Sequence, residues 1–283
     1  MKPANIITLV TEDSLQLDAI LFGSPNAKVG FVFIHGLSSS AFSHTDILPG
    51  NDNYISLYIN NRGHDELTGI KRMTPETEKG YDWFPGGSAH EVFTDCVRDI
   101  QAGVDYLKGL GVRQIYLVGH STGCQKSVYY LAQPNKEGAV SGVILICPMS
   151  DYAYALHTEG LEKLATATRY AQKMVEQGKQ SALIPEGIWQ EPVDAQRFIS
   201  LYTPDSAEEI FTYGQPDKAP TLLKKISIPL LVLIAENDEY ADRSTSEIAR
   251  WFEKHTNRSF TKMIKSSPHG LTGKAEDVLE LIT

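Results

Sequence analysis

Gly119-His120-Ser121-Thr122-Gly123 sets a serine between two glycines, directly after the apolar run Gln114 to His120 and before a helix-like stretch, Thr122 to Leu131. A hydroxyl exposed on a sharp strand-to-helix turn is the arrangement of a nucleophilic serine. Such a turn strains the serine backbone, and a side chain two positions away on either side would strike the adjoining strand or helix. Glycine at 119 and 123 answers that crowding. The helix that follows points its N-terminus at the site and favours developing negative charge there.

A serine hydroxyl is a weak nucleophile without a base, and the base needs a carboxylate to orient it. For a serine on this kind of turn, the acid and then the histidine follow at the ends of later strands. The stretch "LLVLIAENDEYAD" supplies Asp238 just past an apolar run, beside Glu236 and Glu239. "KMIKSSPHGLTG" supplies His269. Asp151, at the end of "VILICPMSD", is the rival acid because that strand end faces the same way. His120 is expected to point away from the turn, and His44, His64, His90, His157 and His255 read as loop or surface groups. A tetrahedral intermediate also needs donors for its oxyanion. The backbone N–H of Thr122 is one candidate; that of Leu37, after "FVFIHG", is the other, with Gly36 allowing close backbone approach.

Positioning these groups falls to a series of short apolar runs. Asn5 to Val10 and Leu15 to Phe22 read as a hairpin, and Val29 to Gly36, Tyr54 to Asn60, Gln114 to His120, Gly142 to Pro148 and Ile228 to Ala235 as buried strands. Ser259 to Lys265 completes the set, with helices expected over Glu91–Leu110, Thr122–Leu131, Ser244–Lys254 and Ala275–Ile282. Strands alternating with helices predict an α/β fold with a mostly parallel sheet. Residues 151–227 contain no buried strand but a helical stretch (Leu161 to Gln177) and many aromatics. That segment reads as a helical cap inserted into a core of residues 1–150 and 228–283. In "KGYDWFPGG", Trp83 and Phe84 are expected in a loop near the pocket mouth, against an apolar group of the substrate.

Composition narrows the functional classes. The 283 residues are 42% hydrophobic and carry a formal net charge of −9. That balance argues against nucleic-acid and anionic-membrane partners. Cys96, Cys124 and Cys147 are widely spaced with no paired motif, so neither a metal nor a disulfide framework is expected. There is no Gly-rich phosphate cradle, signal peptide or spanning apolar run, so no cofactor is implied and a cytoplasmic location is expected.

These motifs together resemble the α/β-hydrolase superfamily: "FIHGLSSS" is similar to its oxyanion loop, "GHSTG" to its nucleophile elbow, "AENDEY" to its acid loop and "SSPHG" to its histidine loop. "NNRGHDEL" is similar to the D-x-R-G-x-G loop of many members, with Asn60 in place of the usual aspartate. The resemblance implies an eight-stranded sheet with the second strand antiparallel. It is nearest to the capped carboxylesterase, monoacylglycerol-lipase and serine-aminopeptidase-like branch. Serine at 121 argues against the dehalogenases and epoxide hydrolases, which carry aspartate there. The expectation is a serine hydrolase, a carboxylesterase cleaving small or medium uncharged esters through an acyl-enzyme on Ser121. Peptidase or amidase activity (with Glu159, Glu162 or Glu208 holding an ammonium), thioesterase activity, or a non-catalytic ligand-binding role are the alternatives.

Overall fold

The apolar runs become a single eight-stranded sheet in the computed structural model, which describes residues 4–256 and 259–282. Its strands are β1 (Ala4–Val10), β2 (Gln16–Phe22), β3 (Val29–Ile34), β4 (Tyr54–Ile59), β7 (Gln114–His120), β8 (Gly142–Ile146), β9 (Leu230–Ala235) and β10 (Ser259–Ile264). They lie in the order β1-β2-β4-β3-β7-β8-β9-β10. The strand β2 runs antiparallel to both neighbours, and the pairs from β4 to β10 are parallel. Every residue of β4 and β8 is buried, as strands covered on both faces require.

Helices α1 (Cys96–Gly109), α2 (Thr122–Leu131) and α6 (Thr245–His255) cover one face through Ile100, Val104, Val128 and Phe252. The other face is covered by α7 (Ala275–Ile282) and the turns around Ala41, Ile47 and Leu48. Ser244 and Glu247 close a reciprocal capping box that fixes the start of α6. The helix α1 starts five residues later than its apolar stripe suggested. Val92 is exposed, and Glu91 turns inward to meet Lys126 and Arg197.

Residues 79–87 are not a loop at the pocket mouth. The strand β6 (Tyr81–Gly86) pairs antiparallel with β5 (Thr68–Met73) in a separate two-stranded sheet.

Between β8 and β9 lie α3 (Asp151–Glu159), α4 (Leu161–Glu176) and α5 (Ala195–Tyr202), which share an apolar cluster of their own, including Leu164, Trp189 and Phe198. The rest of this segment divides from it, because Ile210, Phe211, Tyr213 and Leu223 join the cluster under the sheet. Ser150 caps α3 by accepting from the Ala153 N–H at 3.0 Å, and its hydroxyl donates to the buried Glu209 carboxylate at 2.8 Å. Burial pushes the Glu209 pKa up to about 7. The folded chain therefore keeps a proton that the unfolded chain has lost, and this group's contribution to stability falls as pH rises from about 4.5 to about 7. Glu209→Gln should flatten that part of the Tm–pH profile and raise Tm relative to the wild type at pH 8; thermal denaturation across pH 4 to 9 checks it.

Candidate active site

The serine turn is as crowded as its glycines implied. Ser121 sits at φ 55°, ψ −125° between β7 and α2. A Cβ on Gly119 would lie 2.4 Å from the Gly123 oxygen, and one on Gly123 would lie 2.1 Å from the Ile34 oxygen. Real side chains do not tolerate either approach. A Cβ on Gly36 would stand 2.8 Å from the Ser121 Cβ, so the backbone leaving β3 passes directly over the serine. The Thr122 N–H opens α2 and belongs to the helix-start donors that have no partner within the helix. The Ser121 hydroxyl itself donates to the Met149 sulfur at 3.6 Å.

Asp238 and His269 come together across the ends of β9 and β10. His269 Nδ1 donates to both carboxylate oxygens, at 2.9 and 2.8 Å, and the two side chains are only 7% and 8% exposed. The Nδ1–H is thereby committed to the carboxylate, leaving Nε2 free to accept. Asp151, the rival acid, is not the partner of this histidine. It accepts from Gln125 Nε2 at 2.9 Å, and burial pushes its carboxyl well above the usual range.

Three supporting residues were not assigned from the sequence. Glu239 accepts from the His269 N–H at 2.8 Å, and Glu236 from the Ser266 N–H at 2.7 Å, so both carboxylates hold the histidine loop. His120 does not point away from the site. Its Nε2 donates to the His269 carbonyl at 2.9 Å, and its ring lies between those of His44 and His269, at 4.4 and 5.2 Å. Burial holds the His120 imidazole neutral, well below its ordinary pKa. In "NNRGHDEL", Asn60 Oδ1 accepts from the Ala41 N–H at 2.6 Å, an acceptor role that asparagine fills as well as aspartate.

A cavity of about 290 Å³ opens over these groups, lined among others by Leu37, Ser121, Asp151, Tyr154, Tyr202 and His269. Trp83 and Phe84 are absent from that lining. Trp83 is 63% exposed on β6, and Phe84 packs against the main core with Arg72 over its ring. Glu159, Glu162 and Glu208 are absent from it too. Glu159 pairs with Lys163, and Glu208 is buried against Arg197. Among the described residues, Cys147, Asp238 and His269 are the donors near enough to share a cation. Burial keeps the Cys147 thiol protonated, and the other two are bonded to each other, so the set offers no open metal site.

The strand order, the strained serine between β7 and α2, and the carboxylate–histidine pair beyond β9 and β10 define an α/β-hydrolase fold. Residues 79–281 match the family described as "Protein of unknown function (DUF1749)", and the chain belongs to that family. It is 30% identical over 169 residues to the UPF0613 protein PB24D3.06c of Schizosaccharomyces pombe, a match covering 53% of this chain and 54% of the relative. The chain thus spans about half the length of that curated relative. Among solved structures it is similar to the siderophore hydrolase EstB of Aspergillus fumigatus, with TM-score 0.61 and 16% identity over 100% of this chain and 96% of that one. It is also similar to Est1E of Butyrivibrio proteoclasticus, solved with ferulic acid, with TM-score 0.61 and 17% identity over 98% and 97% of the two chains. The Pyrococcus furiosus esterase PF2001 aligns over 99% of this chain and 91% of its own, with TM-score 0.57 and 17% identity.

Proposed function

We propose that the protein is a serine hydrolase, a carboxylesterase that cleaves small or medium uncharged esters. The observation that carries this reading is that strained Ser121 and an Asp238-bonded His269 line one cavity. The mechanism requires the Ser121 Oγ to leave Met149 and turn toward His269 Nε2. As Oγ attacks the ester carbonyl, Nε2 takes its proton, and Asp238 stabilises the imidazolium. The Leu37 and Thr122 N–H groups receive the oxyanion. The alcohol leaves with the proton from His269, and a water deprotonated by the same nitrogen releases the acid and restores the serine.

In this reading the helices between β8 and β9 act as a cap. Its tyrosines suit an apolar acyl or aryl group, and the Glu191 carboxylate on the wall disfavours anionic substrates. The aminopeptidase reading loses the carboxylates the sequence assigned to it, since Glu159, Glu162 and Glu208 are absent from the cavity lining. Three free, buried cysteines fit a reducing compartment such as the cytoplasm. The esterases among the structural neighbours support the same assignment. Treatment with a fluorophosphonate probe followed by peptide mapping should give a single adduct on Ser121. An adduct on another residue, or ester turnover with Ser121 unlabelled, overturns the assignment.

A further inference from the structure

A short strap, residues 88–91, touches the cap, the loop proposed to bear Leu37 and the helix that begins at Thr122. Ser88 is buried, and its hydroxyl shares a 2.6 Å hydrogen bond with the hydroxyl of Ser38. Ser38 directly follows Leu37 and holds a left-handed backbone, φ 52°, which a non-glycine residue keeps only when its surroundings enforce it. The same loop is tied again one step on, where the Asp65 N–H donates to Ser39 O at 2.9 Å and the Ser88 N–H to Asp65 O at 2.8 Å.

The strap is also fastened to the cap. Arg197 on α5 is fully buried and donates through Nε to the Ser88 carbonyl at 3.2 Å. Its Nη2 donates to Glu91 Oε2 at 3.1 Å, and its guanidinium also grips Glu208. The Asp194 N–H donates to Ala89 O at 2.9 Å, while the Asp194 carboxylate caps α5 and pairs with His90 Nδ1 at 3.0 Å. On the far side, Glu91 meets Lys126 of α2 at 2.7 Å, with both side chains fully buried. Buried charges of this kind are costly to separate, so pulling any of the three segments from the others carries a penalty.

We propose that Ser88 is a positioning residue for the oxyanion site: its hydroxyl holds Ser38, and hence the Leu37 N–H, in register with Thr122, while Arg197 ties that setting to the cap. The proposal rests on Ser121 being the nucleophile. Removing the hydroxyl leaves both donors in place but loosens one, and a small displacement of an oxyanion donor costs rate rather than affinity.

Ser88→Ala and the wild type are compared on p-nitrophenyl acetate and in their rate of labelling by a fluorophosphonate. Ser88→Ala should lower kcat about tenfold, with KM within about twofold and Tm unchanged. Its labelling rate and its affinity for phenylboronic acid, whose tetrahedral adduct fills the oxyanion site, should fall in proportion. Ser88→Thr, which keeps the hydroxyl, should recover most of the rate. Ser38→Ala should show the same loss, and the double variant little more. A Ser88→Ala enzyme with wild-type kcat and wild-type labelling at Ser121 overturns the proposal while leaving the nucleophile standing. A rate loss that tracks a lowered Tm and that threonine does not recover also overturns it. A wild-type protein that the probe does not label at Ser121 removes the nucleophile instead.

Discussion

Ser121→Ala should lower kcat/KM for an ester substrate by about 10⁴- to 10⁶-fold, with the fold intact. On the proposed mechanism the variant removes the oxygen that would form the acyl-enzyme and leaves the proposed Leu37 and Thr122 N–H donors untouched. The remaining rate is what those donors and substrate binding supply to direct attack by water. Alanine inherits the backbone at φ 55°, which strains it as it strains serine. What it loses is the 3.6 Å contact with the Met149 sulfur, a weak bond. Tm should therefore stay within a few degrees, and the comparison of steady-state kinetics with thermal denaturation separates lost chemistry from lost structure. A variant retaining a tenth or more of the wild-type rate removes Ser121 from the mechanism.

The second large effect is expected at Asp238. Asp238→Asn is nearly isosteric, yet it replaces a pure acceptor with a group that can present an N–H to His269 Nδ1. The histidine then accepts at Nδ1 and carries its hydrogen on Nε2, the tautomer unable to deprotonate Ser121. A fall in kcat of about 10⁴-fold follows, with little change in KM. Asp151→Asn provides the contrast. That carboxyl is bonded to Gln125 and contributes nothing to the imidazole, so its effect should be far smaller and should fall mainly on KM. Equal losses in kcat from the two variants would falsify the assignment of the acid. Both are read by steady-state kinetics on one ester series.

The residues that fix the sheet were legible because each strand announces itself locally. Val29 to Ile34 and Tyr54 to Ile59 are apolar runs of strand length, and chain order then put His269 and Asp238 at neighbouring strand ends, with Asp151 a rival until the His269 contact decided between the two acids. Gly119 was readable for the same reason, since its contacts come from the turn itself, whereas the crowding at Gly123 comes from Ile34 and His35 at the end of β3.

Long-range polar pairing left no such trace. Lys126 looks like an outward lysine of a short helix, and its burial against Glu91 depends on Arg197, about seventy positions further along. Trp83 and Phe84 misled because an aromatic side chain serves pocket and packing equally well. Only the pairing of Lys71 with Trp83 and Ile70 with Phe84 in the hairpin decides between them. His120 was misplaced because the turn's geometry sets where the backbone goes, whereas the ring follows the His269 carbonyl that comes to meet it.

The pairing of β3 with β7 has a practical consequence. Ile34 stands opposite Gly119 in the ladder, so the two segments that deliver Leu37 and Thr122 depart from a common rung. Their spacing is inherited from interstrand pairing in the middle of the sheet, where a one-residue slip would shift either segment by about 3.3 Å and invert its side chains. Efforts to re-engineer selectivity are therefore best spent on the helical wall around Tyr154 and Tyr202. Library diversity placed in the two central strands will yield mostly inactive clones.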